Sequence, residues 1–336
     1  MRLGQAESRP TIRDVADRSG VSVKTVSRVL NRESGVAEDT AARVLAAISA
    51  LGFRRNDLAS SLRRGHSSAT LGLLIEDISN PFYSAIAQTV ESLGHERGYM
   101  LITASCEEDP ERERELTDLL LRRRADALLV VPAGADHRSV TGLVPMVFLD
   151  RPPVGLSADT VLFDNAESAQ RGVEHLIAHG HRRIAWLSDR ESLYTVGERL
   201  SGYRQALAAA RIPSDPALVR AGLHHAAQSE TALREVLELP PDRRPTAVFA
   251  ANNRNTVGAL RALRSHRHEL ALVGIDEFEL ADVLSPAITV VRTYPERLAA
   301  VATERVFARL GGDQRPPERL VVPTELVVRG SGEIAP

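Results

Sequence analysis

The spacing of apolar residues changes near residue 70 and divides the chain into two parts. Before that point, apolar positions recur at helical spacing in short segments, over residues 12–19, 23–30 and 38–51. From Leu71 onward, continuous apolar runs alternate with helical stretches. Uninterrupted apolar strands between helices are typical of parallel sheets covered by helices on both faces. The pattern therefore predicts a small all-α domain followed by a larger α/β body.

The first two helices carry start and stop signals in the sequence. Thr11 is a candidate N-cap, with Asp14 three residues further on in the first turn. Gly20 can take the left-handed conformation that ends a helix, and Ser22 can cap the next helix. Two short helices joined by such a tight turn have the spacing of a helix-turn-helix motif.

The second helix has two unlike faces. Its apolar face, formed by Val26, Val29 and Leu30, can pack on the first helix. The opposite face carries Lys24 and Arg28 beside a hydroxyl and a methyl-bearing surface, which suits phosphates and base edges in a DNA major groove. An ordinary helical hairpin with a solvated face would show the same spacing, so the pattern alone leaves both interpretations open.

A third helix is predicted from about Glu38 to Leu51, with Gly52 at its end. Its apolar residues have helical spacing and would close a three-helix core. These residues are Ala41, Val44, Leu45 and Ile48.

The body shows two successive series of strands and helices, which predict two lobes in tandem. The predicted strands are 71–77, 99–105, 127–132, 146–150 and 160–164, then 183–189, 219–222, 246–251, 270–276, 288–293 and 320–328. We expect the chain to cross back late, so that helix 295–310 belongs to the first lobe. The predicted lobes are about 71–163 with 292–319, and about 164–291 with 320–336.

Charge is distributed unevenly along the chain. The formal net charge is −2, but residues 1–66 carry +5 and the remainder carries −7. A basic head on an acidic body fits a polyanion bound through the head alone. Lys24, on the outer face of the second helix, is the only lysine in the chain.

Other features narrow the class of protein. No apolar run approaches the ~20 residues that span a bilayer, and the first ten residues have no apolar stretch typical of a signal peptide. Cys106 is the only cysteine, which excludes an intrachain disulfide and a cysteine-rich metal site. We expect a cytoplasmic protein that needs no membrane, cofactor or metal.

Long motifs in the first part resemble a known family. The segments TIRDVADRSGVSVKTVSRVLN (11–31), GVAEDTAARVLAAISALGF (35–53) and LASSLRRG (58–65) closely resemble the headpiece of the lactose-repressor (LacI/GalR) family. The resemblance implies a transcriptional repressor, controlled by a small-molecule effector, that binds palindromic operator DNA as a homodimer. No leucine heptad follows Arg329, so we expect a dimer rather than a tetramer.

The resemblance also implies a domain plan and a fold class. Residues 1–10 would be a disordered tail, 11–55 a helix-turn-helix headpiece, 56–70 a hinge helix and linker, and 71–336 an effector-binding and dimerisation core. That core would have the two-lobed, parallel-sheet fold of the periplasmic binding proteins.

The DNA-contacting positions follow from the same resemblance. In the headpiece they are Thr11, Ser22, Val23, Lys24, Thr25, Ser27, Arg28 and Asn31. In the hinge, Leu62 matches a leucine that wedges into the minor groove, a known device for kinking DNA, and Ala59 is a second predicted DNA contact in the same segment. Composition alone would describe 56–62 as a plain linker, and Arg55 stands where the family usually has proline.

Ligands of open parallel sheets bind beyond the carboxyl ends of the strands. Several polar and aromatic residues there match effector-binding positions of the family. They are Phe82, Tyr83, Asp150, Thr195, Arg199, Asn252 and Asp276. Carboxylates, a guanidinium and an amide beside an aromatic wall suit a polyhydroxyl ligand, so the expected effector is a sugar or sugar derivative. Such residues also commonly cap the helix that follows, which leaves a structural role open.

Three other functions compete with a sugar-controlled repressor. A regulator that responds to a nucleobase or nucleoside is less favoured, because Leu193 stands where purine-responsive members carry arginine. An α/β enzyme with an accessory DNA-binding head is disfavoured because the chain lacks GxGxxG after the first strand, GxxxxGK[ST], HExxH and GxSxG. An exported solute-binding protein is disfavoured by the headpiece itself.

Overall fold

The computed structural model describes residues 10–30, 33–53, 68–264 and 270–336. Contacts divide the chain into two units, Met1–Ser68 and Ala69–Pro336. Residues 1–9 of the predicted tail 1–10, and Asn31, Ala59, Leu62 and most of the predicted hinge, lie outside the described residues.

The first unit contains the predicted helices α1 (Ile12–Ser19), α2 (Val23–Leu30) and α3 (Glu38–Leu51). Its core is formed by Val15, Ala16, Val26, Val44 and Ala47.

One predicted core residue of α3 is wrong, because Leu45 is 56% exposed. Each residue turns a helix by about 100°, so Leu45 points well away from the face that carries the buried Val44 and Ala47.

The predicted helix ends are confirmed. Thr11 and Asp14 form a capping box, in which the Asp14 N–H donates to Thr11 Oγ1 and the Thr11 N–H donates to Asp14 Oδ2 at 2.6 Å. Gly20 ends α1 with φ at 66°, in the left-handed region. Ser22 Oγ accepts from the Thr25 N–H at 3.1 Å, which caps α2.

The second unit is built from strands and helices that alternate along the chain. Its strands are β1 (Thr70–Ile75), β2 (Met100–Ser105), β3 (Ala127–Val130), β4 (Met146–Leu149), β5 (Asp159–Phe163), β6 (Ile184–Leu187), β7 (Val219–Arg220), β8 (Ala247–Ala250), β9 (Ala271–Ile275), β10 (Thr289–Arg292), β11 (Arg319–Val322) and β12 (Glu325–Val327). Its helices are α4 (Pro81–Glu96), α5 (Pro110–Arg122), α6 (Asn165–Ala178), α7 (Tyr194–Ala209), α8 (Ala226–Leu237), α9 (Asn253–Arg264) and α10 (Pro295–Leu310), with short 3₁₀ turns at Arg138–Val140 and Pro216–Leu218.

These strands form two sheets with equivalent strand orders. The first has the order β11-β5-β4-β3-β1-β2, and the second has the order β12-β10-β9-β8-β6-β7. The pairings are parallel except between β10 and β12, which are antiparallel. Both faces of each sheet are covered by buried apolar side chains. Each sheet with its helices is a lobe, and the predicted α/β core with parallel sheets is confirmed.

The chain passes between the lobes after β5, after β10 and after β11. Helix α10 packs on α4 and on the first sheet. We predicted that the second lobe resumes at residue 320, but β11 pairs with β5 in the first sheet, so this boundary is wrong. The physical reason is Pro323, which cannot donate a ladder hydrogen bond and splits the apolar run 320–328 into strands of different sheets.

No helix in the described ranges is both long and apolar enough to span a membrane.

Candidate effector site and DNA-binding helix

The carboxyl ends of the two sheets face each other across a central cavity of about 50 Å³. The strand order reverses at β1 in the first sheet and at β6 in the second, which is the usual place for ligands in such sheets. The residues predicted from the sequence all line this cavity. They are Phe82, Tyr83, Asp150, Thr195, Arg199, Asn252 and Asp276.

Asp150 and Asp276 hold equivalent places in the two lobes. Each directly follows a strand, β4 or β9, and each has a positive φ, at 64° and 69°. Aspartate tolerates this left-handed conformation better than most residues do.

The two carboxylates differ in their partners. Asp276 Oδ1 accepts from Thr293 Oγ1 at 2.7 Å, which ties it to the segment that follows β10. Asp150 is buried, and its Oδ1 has no hydrogen-bond partner among the described residues. Burial raises the pKa of Asp150, although Arg151 and Arg199 act in the opposite direction. The site therefore holds an unused acceptor beside a guanidinium.

Arg199 reaches this place from α7 and is itself buried. Its Nε donates to Asn165 Oδ1 at 2.7 Å, and its Nη1 donates to the Ala251 carbonyl at 2.6 Å. These bonds fix the guanidinium between the start of α6 and the end of β8. Arg199 therefore has a structural role in the second lobe in addition to its place in the cavity wall.

Asn252 also has a structural role, because its Oδ1 accepts from the Asn255 N–H at 2.8 Å and caps α9. On the opposite wall, Phe82 and Tyr83 pack edge to face with ring centroids 5.1 Å apart. Burial raises the pKa of Tyr83, whose hydroxyl accepts from Arg151 Nη2 at 3.4 Å.

Sequence reasoning missed part of the charged wall. Arg151 donates from both Nη atoms to the two Oε atoms of Glu108, at 2.6 Å each, and both side chains are buried. Arg151 was visible as a strand-end residue, since it follows Asp150. Glu108 gave no signal, because it lies in the loop after β2 and meets Arg151 only in the folded chain.

A second charged group joins the two lobes at the edge of the cavity. Arg254 Nη1, from the first turn of α9, donates to Glu76 Oε1 at 2.7 Å, and its Nη2 donates to Asp77 Oδ2. Next to it, Asn253 Nδ2 donates to Asn80 Oδ1 at 2.8 Å. Burial raises the pKa of Glu76, although Arg254 lowers it.

A larger cavity of about 500 Å³ lies beside the crossing segment after β10. Phe82 and Asp276 line both cavities, and Thr293 and Tyr294 line the larger one. The central cavity is therefore bordered by space of a size that small-molecule sites commonly have.

In the first unit, the outer face of α2 is accessible. Lys24 is exposed and Val23 is 42% exposed, while Ser27 and Arg28 are half-buried.

Two of the predicted DNA-contacting side chains on α2 have partners within the unit. Arg28 Nη2 donates to the Ser34 carbonyl at 2.7 Å, and its Nε lies 3.6 Å from Glu33 Oε2. Thr25 Oγ1 lies 2.9 Å from Ser22 Oγ, within hydrogen-bond distance. Arg28 is therefore bonded to the loop that follows α2.

Comparison with known proteins connects these observations. The model for bacterial regulatory proteins of the lacI family matches residues 11–56, and the model for the periplasmic binding protein-like domain matches residues 173–332. The HTH-type transcriptional regulator PtxS of Pseudomonas plecoglossicida is 31% identical, over 99% of this chain and 98% of its own length. The chain belongs to the LacI family of bacterial regulatory proteins. It is a DNA-binding transcriptional regulator and not an enzyme, as the sequence predicted.

Other known regulators are similar to this protein over nearly the whole chain. The HTH-type transcriptional repressor PurR of Aliivibrio fischeri (strain MJ11) is 28% identical over 96% of this chain and 98% of its own. The structure of the transcriptional regulator CelR with cellobiose is 31% identical, with a TM-score of 0.70, over 96% of this chain and 100% of that one. The lac repressor dimer bound to operator and the anti-inducer ONPF is 26% identical, with a TM-score of 0.81, over 97% and 99%.

Proposed function

We propose that this LacI-family regulator represses genes of carbohydrate metabolism and that a sugar or sugar derivative, bound between the lobes, controls its binding to a palindromic operator. The headpiece would read DNA through the outer face of α2, and two copies of the chain would bind together. One headpiece makes few base contacts, which favours a dimer on two half-sites.

The observation that supports a polyhydroxyl effector is the Oδ1 of Asp150 in the buried wall of the cavity, which has no partner in the part of the chain that the structure describes. A buried carboxylate oxygen without a donor is costly, and a ligand hydroxyl would supply one. Arg199 and Asp276 line the same cavity from the second lobe, and the ring of Phe82 offers an apolar surface for a sugar face.

A nucleobase effector is the second candidate, and relatives named PurR favour it. Against it, the cavity wall contains the apolar Leu193 at the position where we expect purine-responsive members to carry arginine. The two candidates differ in the ligand that would stabilise the folded core.

Two measurements test the proposal together. The full chain is used to select operator sequences from random DNA, and its complex with the selected site is then titrated with a panel of sugars and nucleobases. We expect a palindromic site, a dimer by light scattering on that site, and a sugar that changes operator affinity and raises the melting temperature. A response to nucleobases alone would replace the sugar by the second candidate. A stable monomer on the operator would contradict the dimer.

A further inference from the structure

The two lobes are joined at the edge of the cavity by side chains from consecutive residues. Arg254 and Asn253 of the second lobe meet Glu76, Asp77 and Asn80 of the first, through the hydrogen bonds described above. From these contacts we infer that Glu76, Asp77 and Arg254 form an interlobe latch that holds the two lobes together across the cavity. The name refers below to these three residues.

The position of Arg254 indicates that its positive charge depends on its ion pairs with Glu76 and Asp77. It lies in the first turn of α9, where the helix dipole disfavours a cation. Its guanidinium is also partly removed from water, which would lower its pKa, yet the pKa is raised because Glu76 and Asp77 favour the charged form. A cation held at a helix N-terminus against these two effects depends on the carboxylates of the opposite lobe.

The carboxylates depend on Arg254 in turn. Glu76 is buried at the end of β1, and Asp77 has a pKa below its usual range because hydrogen bonds from Ser79 and Arg254 outweigh the effect of burial. His224 of the second lobe adds to this place, since its Nδ1 lies 2.7 Å from Asp189 Oδ2 and its Nε2 lies 3.5 Å from Glu76 Oε1. Separation of the lobes would leave Glu76 without its cation.

The latch has a consequence for regulation, which rests on the proposed function. The closed central cavity measures about 50 Å³, far below the ~300–1,000 Å³ typical of small-molecule sites. The larger cavity beside it shares Phe82 and Asp276 but not Asp150, so a sugar-sized effector that contacts Asp150 and Arg199 together needs a wider central cavity than the latched lobes leave. Its apparent affinity is then reduced by the fraction of molecules that are open, and the latch sets that fraction.

Distance measurement between the lobes tests the latch without any ligand. Asp118→Cys on α5 and Glu235→Cys on α8 place spin labels at exposed positions of the first and second lobes. The native Cys106 is 1% exposed and so does not compete for the label. The full chain, diluted with unlabelled protein so that only distances within one chain are seen, is measured by double electron–electron resonance.

Arg254→Ala should shift the interlobe distance to longer values and broaden it. Asp77→Asn, which changes the other lobe at a partly exposed position, should shift it in the same direction by a smaller amount. Combining Arg254→Asp with Asp77→Arg should move the distance back toward the wild-type value. Arg97→Ala is the matched control, because Arg97 pairs at 2.6 Å with Glu304 within the first lobe. This variant should leave the interlobe distance unchanged.

Wild-type distances in both Arg254→Ala and Asp77→Asn, with melting curves that show folded protein, would overturn the latch. The result is independent of the effector. If the variants open but no sugar changes operator binding, the latch stands and the proposed function fails. If a sugar releases or strengthens the operator complex while the interlobe distances stay at the wild-type value in every variant, the proposed function stands and the latch fails.

Discussion

At the scale of single residues, buried aspartates at the ends of strands differ in their hydrogen-bond partners. Asp150 and Asp276 share a place after a strand and a left-handed backbone, but only Asp276 has a hydroxyl donor within the described residues. Asp159 shows a third environment, since it is buried at the start of β5 and fully paired. A buried carboxylate with one oxygen that has no donor among the described residues indicates a ligand, and one whose oxygens are both paired indicates structure.

Asp150→Asn should stabilise the ligand-free core. Because burial raises the pKa of Asp150, its stabilising effect is present below the unfolded pKa and is lost as pH rises through the folded pKa. Asparagine keeps the shape and accepts a positive φ. We expect a gain of roughly 1 kcal/mol at pH 7 that disappears in acid. Thermal melts at pH 7 and pH 4 measure it, and a loss of stability at pH 7 would contradict it.

Asp159→Asn should lower the stability of the folded core at pH 7, the opposite of the effect expected for Asp150→Asn. The Asp159 carboxylate lies 3.0 Å from Arg305 and 2.6 Å from Arg309, and it accepts from the Glu318 N–H at 2.9 Å. Burial raises its pKa, but these hydrogen bonds outweigh burial and lower it, so its contribution is present above the unfolded pKa and lost as pH falls through the folded pKa. Breaking this buried cluster should cost about 3 kcal/mol at pH 7. Urea unfolding of the two variants side by side compares the opposite signs directly.

At the scale of elements, the predictions were correct for helix ends, which depend on nearby residues. They were wrong for features that depend on how helices and strands pack together. The helix ends at Thr11, Gly20 and Ser22 follow from capping alone, and the sequence shows them. The exposure of Leu45 depends on which face of α3 packs against α1. The division of residues 320–328 between two sheets depends on Pro323 and on the pairing of β11 with β5.

The cavity shows the same division. Its predicted residues come from strand ends, which the apolar pattern locates together with the family resemblance. The pairs Arg151–Glu108 and Arg254–Glu76 join segments far apart in the chain, and each depends on how elements meet after folding. Nothing in the local sequence around Glu108 or Glu76 specifies a partner.

The helix α2 offers a prediction that separates reading of DNA from stability. Lys24 is exposed, whereas Arg28 is bonded to the Ser34 carbonyl. Lys24→Ala should leave the melting temperature unchanged and weaken operator binding, by ~1–3 kcal/mol at one base position if Lys24 reads a base. Arg28→Ala should lower both, because it also frees the loop. Gel shifts on operator variants and thermal melts measure the two effects, and unchanged operator preference in both variants would remove α2 from the interface.

At the scale of the two-lobed core, two sheets of equivalent strand order face each other through their carboxyl ends, and the chain crosses between them after β5, β10 and β11. This arrangement permits relative motion of the lobes, because few backbone segments join them. A ligand that contacts both lobes can favour one orientation only by its difference in affinity for the two states. The lobe-spanning residues, rather than either lobe alone, are therefore expected to set the response.

The separation of charge between the head and the body yields the last prediction. Residues 1–66 carry +5 and the remainder carries −7, so DNA should be attracted by the head and repelled by the body. Operator affinity should fall steeply with salt, by about 10³-fold or more between 50 and 200 mM if six or more phosphates are neutralised. Effector binding should change far less, since Asp150 and Arg199 are buried. Titrations of both ligands at several salt concentrations measure the contrast, with Lys24→Ala expected to reduce the operator slope by about one if Lys24 meets a phosphate. An operator affinity that hardly depends on salt would mean that the basic head does not engage the DNA backbone.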